Sequence, residues 1–122
     1  MTKTSRALQA FFEQFSLPVY MHDNIPDDVR MPYITFELIE PEPLATALIH
    51  ANIWYSDTST TAISAKADEI KAAIGTGVTL PTDGGFVALF RDKSTPFIQL
   101  MSDPNPQTKR AYLTMVIHAN TD

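Results

Sequence analysis

The spacing of apolar residues along the chain runs from a helical period to a strand-like one, back to helical, and then to strands again. From Thr4 to Phe15, Leu8, Phe11, Phe12 and Phe15 recur at three- and four-residue intervals, so they share one face of a predicted helix. Thr4 or Ser5 is expected to cap its start. Ser16-Leu17-Pro18 is expected to end it, because a residue before proline is pushed out of the α region. A short extended piece, Val19 to His22, follows.

Asp23 to Pro32 has no apolar period and reads as an exposed loop. Tyr33 to Glu40 alternates, with Ile34, Phe36 and Leu38 on one side, which predicts a half-buried strand. Pro41-Glu42-Pro43 separates it from a longer strand, Ala45 to Tyr55, near enough in sequence for an antiparallel hairpin. Ala47, Ile49, Ala51 and Ile53 form the inner row of that strand; Leu48, His50, Asn52 and Trp54 form the outer row.

The second helix is carried by Ile63, Ala67, Ile70 and Ile74, whose 4-3-4 spacing marks a single buried stripe. Asp57 or Thr58 is expected to supply its N-cap, and Gly75 the left-handed residue that closes it. Lys66 with Glu69 and Asp68 with Lys71 fall three apart on the water side, positions where an ion pair adds only a few tenths of a kcal/mol. Thr76 to Gly85 reads as a loop. Strand-like runs follow at Phe86 to Phe90, Phe97 to Met101 and Arg110 to Ala119, separated by turns at Arg91 to Pro96 and Ser102 to Gln107. In the last run Ala111, Leu113, Met115, Ile117 and Ala119 oppose Tyr112, Thr114, Val116 and His118.

This order predicts an α+β fold: a small antiparallel or mixed sheet of about five or six strands with two helices packed on one face, in one domain spanning residues 1–122. Two helices cannot cover both sides of such a sheet. The face left over carries Leu48, Trp54, Tyr112 and Val116 among polar residues, a patch that a monomer is expected to hide.

Composition narrows the function. A chain of 122 residues can hold a real hydrophobic core. With no cysteine, a disulfide framework, a thiolate metal site and a cysteine nucleophile are excluded. Met1 to Arg6 is polar and leads into an amphipathic stretch, so no secretory signal is expected, and no apolar run is long enough to span a bilayer. A cytoplasmic protein, or one released by lysis, is the expectation. The formal charge of −5 and the scattering of the basic residues disfavour specific nucleic-acid binding.

The search for chemistry is mostly negative. Gly75-Thr76-Gly77 lacks the third glycine of a dinucleotide loop, and Gly84-Gly85 lacks the following lysine and hydroxyl residue of a phosphate loop. His22, His50 and His118 have no metal-ligand spacing, and Asp23, Asp27 and Asp28 do not make a calcium loop. No cofactor, metal or catalytic residue is expected. His50 and His118, with Glu37, could form an acid/base cluster only if their strands are neighbours. Trp54 and Tyr55 close a strand as core aromatics usually do, but the row of Trp54 also carries His50 and Asn52, which suits a partner-contact face.

Pro32-Tyr33-Ile34-Thr35-Phe36 after an acidic loop, Ala51-Asn52-Ile53-Trp54-Tyr55-Ser56 before the helix Ala62 to Ile74, and Lys109-Arg110-Ala111-Tyr112-Leu113 near the end together resemble the tail terminator, or tail completion, proteins of phages with long non-contractile tails. The resemblance runs through nearly the whole chain. It implies a non-enzymatic virion structural protein at the head-proximal end of the tail. It also implies a hexameric ring that caps the tail tube, stops its elongation and receives a head-completion or connector protein. DNA would pass through such a ring without specific binding.

The family offers no catalytic residue to transfer. Leu48, His50, Trp54, Tyr112 and His118 are therefore the candidate self-association or partner-contact face. The alternative from the residues is a small ligand-binding domain or enzyme subunit that uses the open sheet face, with His50, His118 and Glu37 as its polar groups.

Overall fold

The computed structural model describes residues 3–38, 46–91, 96–101 and 103–120. Helix α1 (Lys3–Glu13) is followed by strands β1 (Val19–Met21), β2 (Tyr33–Leu38) and β3 (Thr46–Ser56), then helix α2 (Thr61–Ile74) and strands β4 (Val78–Thr82), β5 (Gly85–Arg91), β6 (Ile98–Met101) and β7 (Thr108–Asn120). The strands form one mixed sheet in the order β1-β2-β3-β7-β5-β4. Among the described residues only β1 and β2 run parallel; β2-β3 is the expected antiparallel hairpin. Strand β7 is the spine. It pairs β3 from Thr108 to His118 on one side, and on the other it meets β6 near its start and β5 near its end. The fold is α+β with the helices on one face of a sheet curled into a half-barrel.

The helical stripes read from the sequence are the ones that are buried. Leu8, Phe12, Ile63, Ala67 and Ile70 are fully buried, and Phe11, Phe15 and Ile74 nearly so. They pack on Ile34, Phe36, Ile49, Ile53, Leu113 and Met115 from the inner rows of the sheet. α1 lies against β1 and β4, and α2 against β3, β7 and β5. Burying each large aliphatic side chain contributes about 1.5–3 kcal/mol, so this packing outweighs any surface ion pair.

Several expectations at element ends change. Thr4 and Ser5 do not cap α1: they lie inside it and are buried, because the helix already includes Lys3. Its far end tightens through three-residue hydrogen bonds from the N–H groups of Gln14, Phe15 and Ser16, and Ser16 turns out at φ 65°. Neither Asp57 nor Thr58 caps α2. The N-cap is Thr60, without a side-chain bond. Asp57 instead accepts the Ser59 N–H, and Ser59 Oγ accepts the Thr61 N–H, both at 3.1 Å.

Gly75 does close α2, but at φ 56° and ψ −126°, a positive-φ conformation outside the left-handed helical region that was expected, and its N–H donates to the Lys71 carbonyl. Lys66 pairs with Glu69 at 3.3 Å, whereas no ion pair joins Asp68 and Lys71. The more consequential Lys66 contact is 2.8 Å to the Phe15 carbonyl, which ties α2 to the end of α1.

The segment Thr76 to Gly85 is not a loop. It contains β4, which makes a hairpin with β5 through Asp83-Gly84, with Gly84 at φ 85°. Pro81 argues against a central strand, but β4 is the outermost strand of the sheet, where a missing N–H costs little. The Asp23 to Pro32 stretch is a loop as expected, exposed along most of its length. The expected turn at Pro41 to Pro43 lies outside the described residues, as do Ile39-Glu40 and most of Arg91 to Pro96.

Candidate assembly face

Period-two alternation places the outer rows of the strands on the face away from the helices, and register decides who meets whom. Trp54 stands opposite Tyr33 of β2 and Arg110 of β7; Asn52 stands opposite Thr35 and Tyr112; His50 stands opposite Glu37 and Thr114; Leu48 stands opposite Val116. On the outer strand β1, Tyr20 pairs with Thr35.

These side chains form a continuous band across β1, β2, β3 and β7. The Tyr20 and Tyr33 rings meet edge-on at 6.1 Å, and Tyr33 stacks on Trp54 at 6.2 Å. The Arg110 guanidinium carbon lies 4.9 Å from the Trp54 ring centroid and 5.9 Å from that of Tyr112. Tyr112 stacks on His50 at 5.3 Å, and its hydroxyl lies 2.6 Å from His50 Nδ1. Planar guanidinium and aromatic groups suit such a stack because their π faces and cation attract without demanding many fixed torsions.

Polar anchors hold the band in place. The Trp54 indole N–H donates to Thr35 Oγ1 at 3.2 Å, which gives the buried Thr35 hydroxyl its partner. Arg110 Nε donates to Asn52 Oδ1 at 2.7 Å. That partner is neutral, and among the described residues no carboxylate pairs with Arg110. Burial pushes the Tyr33 phenol above its ordinary pKa.

The five residues singled out from the sequence all lie on this face, but not together. Trp54, Tyr112 and His50 belong to the band. Leu48 is 42% exposed and continues the β3 row beyond His50. His118 stands opposite Thr46, four residues along β7 from the Thr114 that faces His50. At strand rise this separates the two histidines by about 13 Å.

The conceivable acid/base cluster of His50, His118 and Glu37 is therefore not assembled. Although Glu37 is in register with His50, its carboxylate reaches His22 instead, at 3.6 Å. Tyr55, the other half of the aromatic pair, packs partly buried against the core, while Trp54 faces outward. Sequence reasoning missed Tyr20, Tyr33 and Arg110 as members of the face; the available signal was the hairpin register, which puts Tyr33 opposite Trp54.

Among the described residues no cluster of three His, Asp or Glu side chains is placed to hold a metal, and no helix is long and apolar enough to cross a membrane. The arrangement offers stacking area, one cation and several half-satisfied polar groups, which suits docking.

No family model and no curated protein matches the chain in sequence. Its fold is similar to solved structures. A chain from the virion of a native gene transfer agent particle superposes with a TM-score of 0.63 at 13% identity, over 94% of this chain and 90% of that one. A second solved chain gives a TM-score of 0.61 at 12% identity, over 97% of this chain and 96% of that one. At these identities what the likeness shows is a shared fold and nothing more.

Proposed function

We propose that this chain is a virion structural protein that assembles into a ring: a tail terminator that caps a tail tube, stops its elongation and presents a surface for head joining. The observation that carries the reading is the open sheet face with its stacked band, left uncovered by the helices. The likeness in fold to a chain of a gene transfer agent virion supports it, as do the sequence motifs around Tyr33, Trp54 and Arg110.

A half-apolar face on a small chain calls for a partner. Repeated head-to-tail contacts that close on themselves supply one without forming fibres. The acidic balance suits a channel that DNA passes without sticking. On this reading the partners are other copies of the chain in a hexamer, the tail-tube protein and a head-completion or connector protein, and the location is the head-proximal end of the tail.

The test is the mass of the full-length chain across a concentration series, with negative-stain images of the largest species and a pull-down of tail-tube protein. Closed rings that bind the tube are expected. A strict monomer that ignores the tube and binds a small molecule would overturn the reading.

A further inference from the structure

The charge pattern of the open face points to what sits on it. Arg110 is held between Trp54 and Tyr112 by stacking and by the single bond from Nε to Asn52, so its four terminal N–H donors have no protein acceptor among the described residues. A planar fork fixed in this way is matched by a carboxylate. Beside it, the Trp54 and Tyr33 rings offer apolar area.

The same chain carries a segment with the complementary chemistry. In the exposed loop between β1 and β2, Ile25 is 38% exposed, Pro26 follows it, and Asp27 and Asp28 are exposed, without an ion pair among the described residues. Ile25 and Asp27 are two residues apart, about 6.6 Å in extended chain. The Trp54 ring and the Arg110 guanidinium are 4.9 Å apart. With Tyr33 and Arg110 against the Trp54 ring, an apolar side chain resting on the outward edges of the Trp54 and Tyr33 rings would hold a carboxylate two residues on within reach of Arg110. Asp57 and Asp103 accept local backbone N–H groups, and Glu37 and Glu69 have cationic or histidine partners; among the described residues Glu13, Asp23, Asp68 and Asp83 are also without an ion pair, but only Asp27 and Asp28 are two such carboxylates side by side.

We propose that the Tyr33–Trp54–Arg110 part of the open face is the receptor for the Ile25–Asp28 loop of a second copy of this chain, with the Arg110 fork gripping the Asp27-Asp28 carboxylates. Receptor and loop are different surfaces, so the contact is heterologous and repeats from copy to copy until a ring closes. The inference rests on the ring reading and names the contact that would build it.

The experiment is sedimentation of the full chain as wild type, Arg110→Gln, D27N/D28N and the combination, with far-UV circular dichroism confirming the fold of each. The loop variant guards against misfolding at Arg110, because its positions are exposed. Loss of either partner is expected to weaken self-association by about thirtyfold or more. The combined variant should be little worse than either alone, as for groups that act on each other.

Trp54 is the chain's single tryptophan, so its emission reports on the site and should shift to the blue as wild type associates. Self-association of wild-type strength in either variant, or losses that simply multiply, would overturn this contact while leaving the ring reading intact. A wild-type chain that stays monomeric at every concentration would overturn both. A Trp54 shift produced by single-stranded oligonucleotide and not by self-association would assign the band to nucleic acid instead.

Discussion

Replacing Trp54 with alanine tests how far the half-buried band is also part of the fold. Three contacts disappear. The Thr35 hydroxyl, only 3% exposed, loses the indole N–H; a buried polar group left without its partner costs about 1–3 kcal/mol. The stack on Tyr33 goes as well, worth about 0.5–1.5 kcal/mol. Arg110 loses the ring beneath it, about 0.5–1 kcal/mol at a partly exposed site.

Because neighbouring contacts are not additive, the expected total is about 2–4 kcal/mol. Against the usual 5–15 kcal/mol of a domain, the variant stays folded. Equilibrium urea unfolding followed by far-UV circular dichroism, at concentrations below those of association, reads the loss. Trp54→Phe keeps much of the stack, loses only the N–H and should fall between wild type and Trp54→Ala. A loss under about 1 kcal/mol for Trp54→Ala would show that the Thr35 bond and the stack are not made in solution, and would refute the geometry of the band.

Other outcomes follow from single features. Gly75→Ala meets no close atom, the Ala72 carbonyl oxygen being 3.8 Å from the added Cβ, but it forces alanine to φ 56°; a loss of about 1–2 kcal/mol in thermal or urea unfolding is expected. Thr82→Val replaces a buried hydroxyl that has no hydrogen-bond partner among the described residues, so stability should be unchanged or raised by up to about 1 kcal/mol. For Tyr33 the folded pKa lies above the unfolded one near 10.0, because burial disfavours the phenolate. The folded state then holds the proton more tightly. Its contribution is complete below pH 10 and is lost as pH rises through the folded value. Urea midpoints should fall across that range in wild type and fall less in Tyr33→Phe.

Local period carried much of the fold. The stripe of α2 and the alternating rows of β3 and β7 are visible because each residue's burial follows from its own element. β4 was hidden because its strand character depends on pairing with β5 and on Pro81 lying at the sheet's edge, neither of which is a local property; the Asp83-Gly84 turn was the one local sign. The N-cap of α2 was misplaced by two or three residues and Thr4 and Ser5 fall inside α1, since several hydroxyl residues compete at each start and tertiary packing chooses among them; Gly75 was placed correctly at the end of α2.

The face itself was legible as an outer row, which is why Leu48, His50, Trp54 and Tyr112 were found. Its chemistry was not, because alternation places Arg110 and Tyr33 on the outer rows but only the β3-β7 and β2-β3 registers bring them against Trp54. The same register separates His118 from His50, a distance that alternation alone cannot give.

The most direct test of the central claim, that the open sheet face is the assembly surface, is hydroxyl-radical footprinting of the full chain when dilute and when assembled. Trp54, Tyr33 and Tyr112 are expected to become protected on assembly, while exposed positions on the water side of α2, such as Lys71, keep their reactivity. Protection confined to α2, with the aromatic band unchanged, would contradict the account.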